Sequence, residues 1–327
     1  MQCLPTDKPA VIDVQKAPML MAQVCSPWRS IALSTLRLWN SLSVGGRNGM
    51  VLASQSALIS TWLRRSATLP LSIEIAENGL PDSQQEQDFV DALIPFIPQI
   101  ECLTINAPQS MIEKLIGSQD VSALTNLKIV ITNALDGEPL NISHSATSLR
   151  NLSVTHVGLD RDKPRFPWTQ LTEFDATNIG LGQCFDILRQ CHNLSRLSLR
   201  DVSSLYDGVP RRPILMPNLV SLDLQVMQGI ELFWNNLTLP RLRECDFGFW
   251  FEDSWPKSEL FALLDRSSCP LCTLQITGFI SKEDLVECVE RIPTLRNVVW
   301  SSQKNTRLPL RVSRMLAQRA AGATNSD

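Results

Sequence analysis

Apolar residues recur along the chain in the order apolar-x-x-apolar-x-apolar, and each occurrence predicts a short strand. The fourth and sixth places lie two residues apart, so their side chains share one strand face. The pattern is clearest at Leu194/Leu197/Leu199 and Leu219/Leu222/Leu224. The same register gives Ile100/Leu103/Ile105, Leu127/Val130/Thr132, Leu149/Leu152/Val154, Leu171/Phe174/Ala176, Leu242/Cys245/Phe247, Leu271/Leu274/Ile276 and Leu295/Val298/Trp300. Nine turns follow, their first places separated by 27, 22, 22, 23, 25, 23, 29 and 24 residues. Between strands, residues 88–97, 183–191, 258–265 and 282–291 carry apolar side chains at three-and-four spacing, which predicts helices on the outer surface. Leu285, Val286, Val289 and Ile292 illustrate it. Proline before the strand, as in Met216-Pro-Asn-Leu219, Leu239-Pro-Arg-Leu242 and Ile292-Pro-Thr-Leu295, ends the preceding helix.

Turns of this length and pattern resemble leucine-rich repeats, in which one turn cannot bury its apolar face alone and stacked turns can. The fold class expected is therefore α/β, an irregular leucine-rich-repeat solenoid. Irregularity follows from the ninth place, commonly Asn in regular members and here Val157, Ile179, Val202, Met227, Trp250 and Phe279. That replacement removes the buried amide ladder. The turn at Leu127 is ambiguous in facing, because Leu127, Ile129 and Ile131 alternate in the opposite phase from Val130.

The amino-terminal residues 17–44 carry Met21, Val24, Cys25, Trp28, Ile31 and Ala32 at helical spacing, with Leu36, Leu38 and Trp39 beyond. The spacing predicts a buried helical core in which Trp28 and Trp39 are anchors. Val24-Cys25-x-x-Trp28-Arg29-x-Ile31-Ala32 followed by Leu38-Trp39 resembles the second half of the F-box of fungal, mushroom-type F-box proteins. Trp62-Leu63-x-Arg65-Ser66-x-x-Leu69-Pro70-Leu71-Ser72-Ile73 is similar to the helix and first strand that follow the box in that group. The resemblance implies a short all-α F-box-like fragment whose core, Val24, Cys25, Trp28, Ile31, Leu38 and Trp39, supports docking to the Skp-family adaptor of a cullin-RING ubiquitin ligase. The opening Met1-Gln-Cys-Leu-Pro-Thr-Asp is similar to the segment just after the family's first helix. It implies an amino-terminally truncated box, through either a late start or a truncated paralogue.

Composition narrows the function classes further. A 44% hydrophobic content is that of a folded protein, and a formal charge of −3 is too balanced for the broad positive field that nucleic acid or anionic lipid requires. Neither nucleic acid nor membrane is an expected partner. Pro5, Asp7, Lys8, Pro9, Asp13 and Lys16 interrupt any secretory signal, so the expected location is cytoplasmic, nuclear or both, and not secreted. The sequons at Asn141, Asn151, Asn193 and Asn236 then meet no glycosylation machinery, and the nine cysteines read as free thiols.

Catalytic signatures are missing: no serine elbow, phosphate loop or His-Glu-x-x-His zinc helix occurs. Gly45-Gly46-Arg-Asn-Gly49 reads as a turn between helices. Cys269-Pro-Leu-Cys272 has the spacing of half a zinc site or a redox pair, but no second Cys-x-x-Cys or nearby His pair follows, and Leu271 between them is a repeat core residue. Cys191-His192 with Asp186 fits the repeat without any catalytic role. No catalytic, cofactor-binding or metal-binding residue is assigned, and the chain is read as non-enzymatic. Arg307, Arg311 and Arg314 beside Leu308, Val312 and Met315 read as a terminal cap on the last repeat.

The organisation expected is a truncated F-box-like helical module over 1–45, a connecting loop and helix over 46–68, the repeat array over 69–306, and a cap with a polar tail over 307–327. If places four and six face inward, places three and five line the concave face. Glu173, Asp175, Arg196, Asp223, Glu244 and Asp246 then form a mainly acidic patch for an unknown protein target, with Arg200 at place seven and Ser198 and Ser221 among them. Phe249, Phe251 and Trp255 are candidate aromatic anchors nearby. The resemblance implies substrate recognition for an SCF-type ligase; the alternative is a leucine-rich-repeat scaffold that has lost adaptor binding.

Overall fold

Alternation of apolar and hydroxyl residues in Ser41-Leu42-Ser43-Val44 makes the first strand, earlier than the repeat pattern places one. The computed structural model describes residues 9–45, 56–76, 83–132, 140–155, 166–202, 213–226, 229–249, 255–301 and 308–323. The chain divides into two units, Met1–Pro167 and Trp168–Asp327. Among the described residues the fold is mixed α/β, with thirteen strands in parallel ladders and ten α-helices.

The first unit opens with α1 (Met21–Val24) and α2 (Ser26–Ser34), then β1 (Ser41–Gly45), α3 (Ser56–Arg64), β2 (Leu71–Ala76), α4 (Ser83–Leu93), β3 (Ile100–Ala107), α5 (Gln109–Ile112), β4 (Asn126–Ile131) and β5 (Asn151–Thr155). Strands β1 to β5 pair in parallel in chain order. Their register aligns Leu42, Ile73, Leu103, Leu127 and Leu152 in one column and Val44, Ile75, Ile105, Ile129 and Val154 in the next. None of the ten is more than 3% exposed.

Two expectations are corrected here. Leu127 occupies the fourth place, not the first, since it pairs with Leu103 and Leu152; the first place belongs to Leu124, and Val130 faces outward. The span 1–45 is not wholly helical, because Trp39/Leu42/Val44 is itself a repeat that ends in β1. The helix-like apolar spacing up to Trp39 concealed that change of period. Gly45 closes this strand at φ +93°, where a Cβ would collide with the Ala76 carbonyl, so it is a strand end and not an interhelical turn.

The second unit runs β6 (Glu173–Thr177), α6 (Leu181–Leu188), β7 (Arg196–Arg200), β8 (Ile214–Leu215), β9 (Ser221–Gln225), α7 (Ile230–Asn236), β10 (Leu237–Thr238), β11 (Glu244–Gly248), α8 (Lys257–Ser267), β12 (Thr273–Thr277), α9 (Lys282–Arg291), β13 (Asn297–Ser301) and α10 (Leu310–Ala323). Its main ladder follows the order β6-β7-β9-β11-β12-β13, and β8 pairs with β10. Phe174, Leu197, Leu222, Cys245, Leu274 and Val298 form one inward column, and Ala176, Leu199, Leu224, Phe247, Ile276 and Trp300 the other.

Backbone hydrogen bonds repeat as strictly as the side chains. The N–H of a first-place residue donates to the carbonyl three residues earlier at Trp39, Leu124, Leu149, Leu171, Leu194, Leu219, Leu242 and Leu295. This is the turn that proline before the strand favours. Carbonyls at the second place in the second unit, from Thr172 to Cys272, then each accept two N–H groups from the next strand. Val220 takes Arg243 at 2.9 Å and Glu244 at 3.0 Å, and Arg243 takes Cys272 at 2.8 Å and Thr273 at 2.9 Å. Past the strands, Asn178 and Asp201 adopt positive φ, which Asn and Asp tolerate better than most residues. The ninth-place Ile179 and Val202 follow them and are buried, whereas Val157, Met227 and Trp250 lie outside the described residues.

Helices α6, α8 and α9 overlap the segments expected from apolar spacing, and Ser281 caps α9 by accepting the Asp284 N–H at 3.0 Å. Arginines tie successive helices together. Arg266 of α8 donates to the Trp234 and Leu237 carbonyls at the end of α7, and Arg319 of α10 to the Val289 and Ile292 carbonyls of α9. Arg311 pairs with Glu290, Arg314 is exposed, and Arg307 lies outside the described residues. Arg319, not singled out from the sequence, thus joins Arg311 and buried Val312 in holding α10.

Of the two tryptophans expected as anchors, only Trp39 is buried. Its indole N–H donates to the Ala32 carbonyl at 2.8 Å, Trp62 meets it edge-on at 4.8 Å, and the Arg65 guanidinium lies 4.3 Å over the ring. Trp28 is 38% exposed. Trp39→Ala is expected to cost about 3 to 5 kcal/mol and Trp28→Ala under about 1 kcal/mol in chemical denaturation. Equal losses at the two positions would contradict this packing.

Candidate functional site

Side chains that alternate away from the core columns of the second unit form three rows across its strands. Place three reads Glu173, Arg196, Ser221, Glu244, Thr273, Asn297; place five reads Asp175, Ser198, Asp223, Asp246, Gln275, Val299. Place seven reads Thr177, Arg200, Gln225, Gly248, Thr277, Ser301. Register therefore brings together the seven charged residues expected to share a face. Glu173, Asp175, Asp223 and Asp246 are half-buried, and Arg196, Arg200 and Glu244 are exposed.

The face is a connected network centred on Asp223. Arg200 donates to one of its carboxylate oxygens at 2.8 Å, as does the Ser198 hydroxyl at 3.1 Å. Gln225 donates to the other oxygen at 3.0 Å and to Asp246 at 3.2 Å, linking neighbouring strands. Gly248 leaves the space that the Gln225 amide fills, since a Cβ there would strike its oxygen. Arg196 approaches Glu173 at 3.9 Å. Five carboxylates against two guanidinium groups leave the face net acidic. Gln225 was missed from sequence, although its place two residues beyond Asp223 put it on the same strand face.

Electrostatics follow from this crowding. The hydrogen bond to Asp223 raises the pKa of Arg200, with further support from the charges of Asp175 and Asp246. Partial burial raises the pKa of Asp246, and the Asp223 charge adds to it against the opposing effects of Gln225 and Arg200. The corresponding rows of the first unit are largely neutral: Ser41, Ser72, Cys102, Asn126 and Asn151 at place three, with Glu74 and Lys128 the charged residues at place five.

Aromatic residues beside the acidic rows do not serve as surface anchors. Phe249 is buried, and half-buried Trp255 stacks parallel to inward-facing Phe247 at 5.9 Å. Their apolar area is spent on core packing, while Phe251 lies outside the described residues.

The amino-terminal module also departs from expectation. Val24 is 60% exposed and Ile31 59%, Cys25 is exposed, and Leu38 is half-buried; Ala32 and Trp39 hold the module. Cys25 is extended and Pro27 lies in the first turn of α2, so the helix breaks after Val24 and the three-and-four spacing does not run across the break.

Four of the described thiols are buried. Burial raises the pKa of Cys191 and Cys288 to about 12 and that of Cys184 and Cys245 higher still. Asp186 is paired with Arg189, not directed at Cys191, and His192 is exposed. Cys272 donates to the Pro270 carbonyl at 3.2 Å. Among the described residues no group of three or more His, Cys, Asp or Glu is arranged to hold a metal ion, and no helix is long and apolar enough to cross a membrane.

Because the raised pKa of Asp246 means that the native state holds its proton more tightly than the unfolded chain, ionisation of Asp246 opposes folding as pH rises through that pKa. Asp246→Asn is expected to raise the thermal midpoint at pH 7, and the difference should shrink as acidification protonates Asp246 in the parent. A lower midpoint at pH 7 would contradict the assignment. No protein-family model matches the chain, and no curated protein matches it.

Proposed function

We propose that this chain is a protein-interaction module, the substrate-recognition subunit of an SCF-type cullin-RING ubiquitin ligase. The amino-terminal F-box-like module docks to a Skp-family adaptor, and an irregular leucine-rich-repeat array holds the target. The observation that carries the reading is the in-register acidic face of the second unit. Six parallel strands present it with the constant spacing that recognition of an extended partner requires. Its excess of carboxylates favours a basic target segment. The Trp62-to-Ile73 resemblance falls on α3 and β2, the elements that the family pattern calls for there.

A scaffold without adaptor binding is the second reading, favoured by the small buried core of residues 21–39, where Ala32 and Trp39 are the only buried side chains. Co-expression with a Skp-family adaptor and a cullin separates the two. The ligase reading expects recovery of a ternary complex. Recovery of this chain alone, well folded, would favour the scaffold.

Target recognition is tested separately with Asp175, Asp223 and Asp246 all changed to Lys. A Lys/Arg-rich peptide is expected to bind the parent more weakly as salt rises, and to bind the variant at least about tenfold more weakly at low salt. Equal affinity and equal salt dependence would remove the acidic face as the recognition surface.

A further inference from the structure

Charge is unevenly compensated along the outward face of the second unit. On β6, β7 and β9 the outward carboxylates are Glu173, Asp175 and Asp223, and Arg196 and Arg200 stand among them. Arg200 is bonded to Asp223 and supported by the charges of Asp175 and Asp246, while Arg196 approaches Glu173. The two guanidinium groups therefore act as internal counterions. On β11 the outward residues are Glu244, Asp246 and Gly248, and no cation pairs with either carboxylate among the described residues. Arg243 precedes Glu244 and is exposed, yet makes no ion pair with it. Arg200 acts on Asp246 through space, its hydrogen bond going to Asp223. Two of the face's three excess negative charges thus lie on one strand.

Asp246 is half-buried and accepts from Gln225 at 3.2 Å, whose amide fills the gap over Gly248. A carboxylate that is partly desolvated and bonded to a neutral amide gains more from an incoming cation than one already paired. Beyond β11 the face changes character. Thr273, Gln275 and Thr277 on β12 are neutral, and place five of β13 is Val299, 41% exposed and the one apolar side chain in its row. Strands lie about 4.8 Å apart, so Val299 stands roughly 10 Å from Asp246 across the face. An extended β-strand repeats its facing side chains at about 6.8 Å, and a polyproline II segment repeats every third residue at about 9.3 Å. The second spacing matches.

We propose that the β11–β13 end of the face is the recognition subsite, and that it takes a segment of the form cation-x-x-apolar in polyproline II conformation. The cation sits between Glu244 and Asp246, and the apolar group covers Val299. The proposal rests on the reading of this face as the target surface and not on adaptor binding. Two copies of the face would set carboxylates against carboxylates, which disfavours self-pairing.

Two labelled proline-rich peptides of equal charge, one containing Arg-Pro-Pro-Leu and one Arg-Pro-Pro-Ser, are titrated with the full chain beside the Lys/Arg-rich peptide, with anisotropy as the readout. The Leu peptide is expected to bind about fivefold more tightly than the Ser peptide, and Val299→Ser to remove that difference. Glu244→Gln with Asp246→Asn should weaken the Leu peptide at least about tenfold. Glu173→Gln with Asp175→Asn should weaken it by under about threefold, because Arg196 and Arg200 already offset those charges. Circular dichroism should match the parent in all three variants. Equal losses from the β11 and β6 changes, or equal binding of the Leu and Ser peptides, would overturn the proposal. If the Lys/Arg-rich peptide still binds the parent in that case, the face remains a recognition surface and this subsite alone fails. If no peptide binds, both fall.

Discussion

The rest of the structure depends on one backbone contact, the second-place carbonyl that accepts two N–H groups from the following strand. Thr172, Ser195, Val220, Arg243 and Cys272 each do so in turn through the second unit. Because side chains alternate along a strand, fixing this register decides at once which residues enter the core and which face outward. A slip of one residue would bury Asp223 and expose Leu222 and Leu224. Burial of Leu197, Leu222 and Leu274 therefore stabilises the same register that assembles the acidic face, and the two cannot vary independently.

Past the strands the ninth-place residues Ile179 and Val202 are buried apolar side chains, so hydrophobic contact holds that end of the strands while the backbone ladder holds the other. Arg266 and Arg319 act on the helix side of two turns, at the ends of α7 and α9, where helix carbonyls would otherwise lack donors. Polar links between turns thus include main-chain bonds at the strand starts and, at the ends of α7 and α9, arginine side chains, beside the side-chain bonds of the acidic face.

Sequence pattern made much of this legible, and its failures have specific causes. Leu194/Leu197/Leu199 and Leu219/Leu222/Leu224 stand among polar neighbours, so their facing is unambiguous. At 124–131 apolar residues occupy Leu124, Leu127, Ile129, Val130 and Ile131, and only the pairing of Leu127 with Leu103 and Leu152 fixes the phase. Trp39/Leu42/Val44 escaped notice because Trp39 also completes a helical spacing. The three-residue turn before each strand offered a further signal: Val121, Ala146, Cys191, Met216, Leu239 and Ile292 are all buried at that place. Spacing groups residues on a face but does not supply a neighbour to cover it. Trp28 and Ile31 lie within α2 and remain exposed for that reason, while Val24 ends α1 on the other side of the break. The acidic rows were predicted from phase alone, whereas the Gln225 bridge and the Gly248 gap depend on which strands are neighbours.

Register is the central claim, and cross-linking tests it most directly. Parallel partners lie within the Cα separation that a disulfide spans, about 4.4 to 6.8 Å, whereas diagonal positions two residues away lie beyond it. Ser198→Cys paired with Asp223→Cys is expected to close on mild oxidation, and Ser198→Cys paired with Ser221→Cys or Gln225→Cys is not. Closure of either shifted pair in preference to Ser198/Asp223 would contradict the register and, with it, the shared acidic face.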